Sequence, residues 1–288
     1  MANEIALRLH GEPGDEVICE EHQHILIAEL GGPAAHSGLQ TRGLPGNAGR
    51  ISPEQIRAYA NTLDDLHMPL TRMVSIEDTH NASGGRVWPL HELVAVGETC
   101  RELGLRLHLD GARLFNAAVA LDLPPAEIAG HADTVTICLS KGLGCPLGAL
   151  VAGSAELMRR ARRYKQLFGG AMRQAGIVAA AGVYALDHHV DRLAEDHARA
   201  KRLAEGLATA GLPVEPEHVE TNFVQLDVAP LGLSAADALE RLHQAGVGLS
   251  ATVHPTRIRA VTHLDITDGD IERAIELAPE ALGALARA

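Results

Sequence analysis

The chain has 288 residues, 46% of them hydrophobic and 22% charged, with a formal net charge of −12. That length can bury a large core, as one big domain or a large one plus a small one, and the composition is that of a soluble globular protein. The acidic balance argues against a nucleic-acid surface, and neither a membrane helix of roughly 18 apolar residues nor a signal peptide is expected.

The first half alternates short apolar runs with helical segments. Residues 16–19, 39–44, 73–76, 105–109 and 135–139 read as strands, with a further short strand at 148–153. Ser52-Pro53-Glu54-Gln55 opens a helix with a capping serine, proline at the first helical position and glutamine at the third. A helix over 90–103 is closed by Gly104. Such alternation predicts a parallel sheet with right-handed crossovers. Residues 174–210, nearly free of helix breakers, predict one long helix or two consecutive ones bridging two lobes. Strands at 221–228 and 259–261, a helix over 234–245 and a last helix from Thr267 onward then form a small α/β domain. The expected division is a large domain over 1–172, and a bridging helix with a small C-terminal domain over 173–288.

Cys19, Cys100, Cys138 and Cys145 are scattered and read as reduced residues of a cytoplasmic protein, not as a disulfide framework or zinc site. The most informative pattern is Asp110-Gly-Ala-Arg113 followed, 31 residues after Asp110, by Ser140-Lys141-Gly142. Both the aspartate and the lysine close an apolar strand, and ligands of open α/β sheets bind at carboxyl ends of strands. An acid and a lysine converging there suit pyridoxal phosphate, which lysine binds as an imine while aspartate pairs with the pyridine nitrogen. The bland alternatives are a loop lysine and a helix N-cap at Asp110. His108 and Asp110 could be a metal pair, but no third ligand follows at credible spacing, so no metal is expected. His188-His189 reads as a solvated helix face.

Five blocks in order resemble the pyridoxal-phosphate-dependent threonine aldolases of the β-eliminating lyase superfamily. They are Glu77-Asp-Thr-His80-Asn81 with Gly84-Gly85, His108 through Asn116, Cys138 through Gly144, Gly169-Gly170-Ala-Met-Arg173-Gln174, and Arg259 through Asp265. The resemblance covers essentially the whole chain. It implies a type I, aspartate aminotransferase-like α/β fold with pyridoxal 5'-phosphate as cofactor. The implied reaction is retro-aldol cleavage of L-threonine or L-allo-threonine to glycine and acetaldehyde. Lys141 would carry the cofactor and Asp110 would pair with its ring nitrogen. His24 resembles the histidine that stacks on the ring, although His22 lies two residues away. His80 resembles the histidine near the substrate hydroxyl, where a pKa near neutrality suits proton transfer. Arg113 and Arg259 resemble carboxylate-binding arginines, though Arg259 taken alone reads as a solvated strand residue. Arg173 resembles a basic residue near the cofactor phosphate. The resemblance further implies a small-molecule amino-acid substrate, no membrane or nucleic-acid partner, and a homodimer or homotetramer.

Family members carry a segment before the point matching Met1, including an Arg-Ser-Asp-Thr-type stretch and a Ser-Gly-Thr turn that cradles phosphate. Met1-Ala-Asn-Glu4 matches the start of the helix after that turn, so the large domain is expected to be N-terminally incomplete. The alternatives are therefore a related lyase acting on another β-substituted amino acid, or an inactive truncated remnant.

Overall fold

The computed structural model describes residues 1–283. The chain opens with α1 (Ala2–His10), β1 (Glu16–Glu20), α2 (His24–Ile27), α3 (Gly32–Ser37) and β2 (Gln40–Leu44). It continues through α4 (Pro53–Tyr59), β3 (Thr71–Glu77), α5 (Leu90–Glu102), β4 (Arg106–Gly111), α6 (Leu114–Leu121) and α7 (Pro125–Ala129). Next come β5 (Thr134–Cys138), β6 (Ala149–Gly153), α8 (Ala155–Leu167), α9 (Gly176–His188) and α10 (Leu193–Thr209). The last elements are β7 (Phe223–Asp227), α11 (Ala235–Gln244), β8 (Ser250–Ala251), β9 (Arg257–Val261) and α12 (Asp268–Ala281).

Six strands form one sheet in the order β2-β1-β3-β4-β5-β6. The first five are parallel, as alternation with helices predicts, and β6 pairs antiparallel with β5, so the sheet is mostly parallel. Only ten residues separate Cys138 from Ala149, too few for a helical crossover, so the chain turns straight back. The strand order reverses between β1 and β3, which opens a crevice at their carboxyl ends.

One face of the sheet is apolar. Val74, Ile76, Leu107, Leu109 and Val135 pack with Trp88, just before α5, and with Leu93, Val96 and Leu114 from the helices above. Burying such a leucine or valine contributes roughly 1.5–3 kcal/mol. Toward the carboxyl ends, the other face carries polar side chains in register: Ser75, His108 and Thr134 in one row, Glu77, Asp110 and Thr136 in the next. α1 covers part of this face through Leu7 while bringing Asn3 and Glu4 against its polar end.

The bridging region is two helices, α9 and α10, not one. Ala200, Leu203, Ala204 and Leu207 recur at helical spacing and bury one stripe of α10 against the small domain. The antiparallel sheet β7-β9-β8 and the helices α11 and α12 complete that second core.

Residues 82–87 lock the two cores together. Thr221 Oγ1 donates to Gly85 O at 2.8 Å, Gln225 Nε2 donates to Ala82 O at 3.1 Å, and Arg86 pairs with Glu220 at 2.7 Å. Gly85 has φ +74°, and a Cβ there would overlap Phe223 and Thr221. Gly85→Ala therefore meets both a left-handed backbone and a filled space. It is expected to lower unfolding free energy by about 2–4 kcal/mol, measured by urea denaturation. A loss under about 0.5 kcal/mol would contradict this account of the junction.

Candidate active site

Asp110 sits at the end of β4 with only 3% of its surface exposed. Its Oδ1 accepts from Ala112 N–H at 3.1 Å and lies 3.3 Å from Thr136 Oγ1, whose hydrogen goes to Asn3 Oδ1 at 2.8 Å; its Oδ2 accepts from Asn3 Nδ2 at 2.8 Å. α6 begins only at Leu114, with Arg113 at its N-cap, so Asp110 closes a local turn and is not the cap of that helix.

Lys141 lies in the short connection between β5 and β6. Leu139 N–H donates to Gly148 O at 2.9 Å, Cys145 N–H to Leu139 O at 3.1 Å, and Gly144 N–H to Lys141 O at 2.8 Å. The lysine reaches solvent on one side, yet dense surroundings first, and the Arg113 guanidinium second, push its pKa down. A larger neutral fraction makes its Nζ a better nucleophile toward a carbonyl. His189 is not part of a solvated face: its Nδ1 meets Leu143 O at 2.7 Å and props this connection, while His188 is exposed.

The two neighbouring histidines part company. His24 Nδ1 lies 2.8 Å from Glu29 Oε1, and His24, Glu29 and Asp110 offer polar atoms all within 4.8 Å of one another. The Glu29 hydrogen bond, against the opposing effect of burial, raises the His24 pKa. His22 instead leans on Glu20, with Nδ1 3.4 Å from Oε1. His80 is buried and engaged at both ring nitrogens. Its Nδ1 lies 2.8 Å from Ser83 Oγ and receives Ser83 N–H at 3.2 Å. Its Nε2 lies 3.1 Å from Glu20 Oε2, in ion-pair range but out of line for a hydrogen bond. Burial disfavours the Glu20 carboxylate, but His80 and His22 outweigh it and hold its pKa low.

Arg259 is no solvated strand arginine. It and Arg113 flank one phenyl ring, with guanidinium carbons 4.8 and 4.3 Å from the Phe223 centroid. Arg259 donates to Asn81 Oδ1, while its buried Nε has no partner. Neither arginine forms an ion pair among the described residues. Burial, then repulsion from Arg259, lowers the Arg113 pKa to about 10. Two partly buried guanidiniums without a counter-charge are matched to an incoming carboxylate. Arg173 is exposed in the turn before α9 and joins none of these contacts. That turn nonetheless lies beside the start of α1, since Met1 Sδ occupies the space a Cβ on Gly170 would need.

Three further residues do more than their motifs suggest. The Glu77 carboxylate accepts His24 N–H and Asn81 N–H, each at 2.8 Å. Glu29 and Asn3 tie His24 to Asp110. Glu77 stood inside a quoted block, whereas Glu29 and Asn3 carry no local signal: each looks like an ordinary surface polar residue until the sheet folds beneath it.

A β-eliminating lyase family model matches residues 1–229. A probable low-specificity L-threonine aldolase of Arabidopsis thaliana is 39% identical over 277 residues, covering 94% of this chain and 78% of the plant protein. The low specificity L-threonine aldolase of Escherichia coli K12 is 40% identical over 267 residues, covering 92% and 77%. Among solved structures, the Leishmania major threonine aldolase superposes with a TM-score of 0.81 at 24% identity, over 97% of this chain and 81% of that one, and supports the type I fold.

Asp78, behind Glu77, is fully buried. Its Oδ1 accepts from Trp88 N–H at 3.2 Å and its Oδ2 has no partner. Burial, only partly offset by that bond, raises its pKa from 3.8 to about 8. The folded state thus holds a proton that the unfolded chain releases, so stability drains as pH rises from roughly 4 toward 8. Asp78→Asn should therefore gain melting temperature over the parent progressively between pH 5 and pH 8. Equal shifts at both pH values in thermal melts would refute the protonated state.

Proposed function

The chain belongs to the β-eliminating lyase family, and on that premise we propose that it cleaves L-threonine or L-allo-threonine to glycine and acetaldehyde with pyridoxal phosphate. The observation that carries this reading within the site is the uncompensated Arg113–Arg259 pair beside Lys141 and Asp110. The residues present suit the cofactor. Asp110 is a buried carboxylate whose bonds come from neutral donors, the Lys141 pKa lies below the ordinary lysine value, and His24 stands next to Asp110. In this reading Lys141 Nζ would hold the cofactor covalently, Asp110 would pair with its ring nitrogen, and His24 would lie against the ring. When bound, the cofactor supplies an electron-withdrawing ring that accepts the electron pair released as Cα–Cβ breaks. Gly170, three residues before Arg173, lies against Met1, and in this reading the start of α1 and Arg173 would face the phosphate.

Arg113 and Arg259 come from different domains and clamp the substrate carboxylate between them. The clamp fixes the amino acid's orientation and so helps select the bond that breaks. The β-hydroxyl proton goes to His80, directly or through water. With Nε2 turned to Glu20, the accepting nitrogen is Nδ1, and the Ser83 hydroxyl is placed to pass the proton on. Glu20 then faces the imidazolium and stabilises its charge.

Among the described residues no helix is long and apolar enough to cross a membrane. α9 is almost wholly apolar, yet only Gly182 and Ala185 of its residues are buried. Ile177, Val183 and Tyr184 lie open on it, with Leu167 and Met172 nearby in the chain. Such a face supports a homodimer or homotetramer.

Threonine turnover is the first test: glycine and acetaldehyde are expected, whereas pyruvate and ammonia would indicate β-elimination instead. Asp110→Asn should retain the visible absorbance band of bound pyridoxal phosphate but lose at least about 100-fold in kcat, near 3 kcal/mol in barrier. Lys141→Ala should lose the band. Near-native turnover in Asp110→Asn would remove Asp110 from the chemistry.

A further inference from the structure

Asn3 lies in the first turn of α1, and its amide meets four groups from other elements. Nδ2 donates to Asp110 Oδ2 at 2.8 Å and to Glu29 Oε1 at 2.7 Å. Oδ1 accepts from Thr136 Oγ1 at 2.8 Å and faces His108 Nε2 at 3.4 Å. Both N–H donors of the amide are therefore used, and its oxygen is engaged by Thr136. Its orientation is also dictated, because reversing it would turn the oxygen against two carboxylates.

Like charges this close raise each other's pKa. Burial opposes the Glu29 charge, but the His24 and Asn3 hydrogen bonds prevail and keep its pKa low. We propose that Asn3 is a positioning residue: a neutral double donor that separates the Asp110 and Glu29 carboxylates, fixing Asp110 in place while Glu29 holds His24. The value of that arrangement to catalysis rests on the function proposed above; the charge separation itself does not.

The ionisable groups around Asn3 are Asp110 and His108 of β4, Glu29 after α2, His24 of α2, Glu77 of β3, and Glu4 with the Met1 amine on α1 itself. Asn3→Asp keeps the side-chain size but adds a third carboxylate, which must take up a proton in the folded state. Its folded pKa then exceeds its unfolded one, so the variant's deficit should be small near pH 5 and grow as pH rises. In the cofactor-free protein the gap in melting temperature from wild type should widen by at least about 4 °C between pH 5 and pH 8. Adding Glu29→Gln removes one of the three acids and should close most of that widening, although the double variant is further from the native sequence. If Asn3→Asp fails to fold, Asn3→Ala, which leaves two carboxylates facing one another, must widen with the same sign. A constant gap across pH, with no rescue by Glu29→Gln, would mean that Asn3 merely packs α1 and would overturn the proposal. Spectroscopic titration with pyridoxal phosphate at pH 8 should show binding weakened at least about tenfold in Asn3→Asp. Absence of binding by the wild type, with the pH-dependent gap present, would sink the cofactor reading and leave the charge role of Asn3 standing. Wild-type binding with a flat gap would do the reverse.

Discussion

The site hangs from one buried carboxylate. Glu77, at the end of β3, accepts the backbone N–H of His24 on one side and of Asn81 on the other, while its own carbonyl accepts Trp88 Nε1 at 3.0 Å. Two loops that share no sequence neighbourhood are thereby referred to a single atom group on a rigid strand. A carboxylate serves better than an amide here, since it offers two acceptor oxygens and no competing donor. The choice carries tension, because burial and then the nearby Asp110 charge push the Glu77 pKa up while those same backbone bonds pull it down. Removing the acceptor would leave two N–H groups orphaned, which costs more than a typical hydrogen bond contributes.

The rest of the polar face follows the same logic. Gln23 Nε2 donates to Ser75 Oγ at 2.9 Å, and His108 and His10 both meet Thr134 Oγ1 at 3.0 Å. These groups find partners on an adjacent strand or on the covering helix, while Gln23 Oε1 and both Glu4 carboxyl oxygens have none. The opposite face, being aliphatic, supplies the burial that keeps this polar layer in place. One sheet thus separates its tasks by side: one face holds the domain together, the other holds chemical groups in register.

Much of this was readable along the chain, and the missing part has a common cause. Strand ends at Asp110 and near Lys141 follow from apolar runs and flanking glycines, which are local signals. The capping box at Ser52 is as local, and forms as expected. The reversal at β6 was less visible, because a short apolar strand looks the same in either direction. Arg259 taken alone carries no signal, because its neighbours, Phe223 and Arg113, arrive from 36 and 146 residues away. Glu29 and Asn3 lie in segments whose pattern says only that the residue is polar; what they touch depends on α1 settling over the sheet. Local physics writes the elements, while charge compensation between elements becomes visible only after they meet.

The antiparallel return of β6 has a kinetic and entropic side. A lysine on a long crossover would have to be ordered by packing alone, at the expense of several freely rotating backbone units. Here the segment bearing Lys141 leaves and re-enters neighbouring strands, and ladder bonds close it from Leu139 to Gly148. The loop is thus short and sealed at its base, and its closure is settled once β5 and β6 zip together. The Lys141 amine consequently inherits the stiffness of the sheet edge, so that binding a large, flat partner would demand little further ordering of the backbone that presents it.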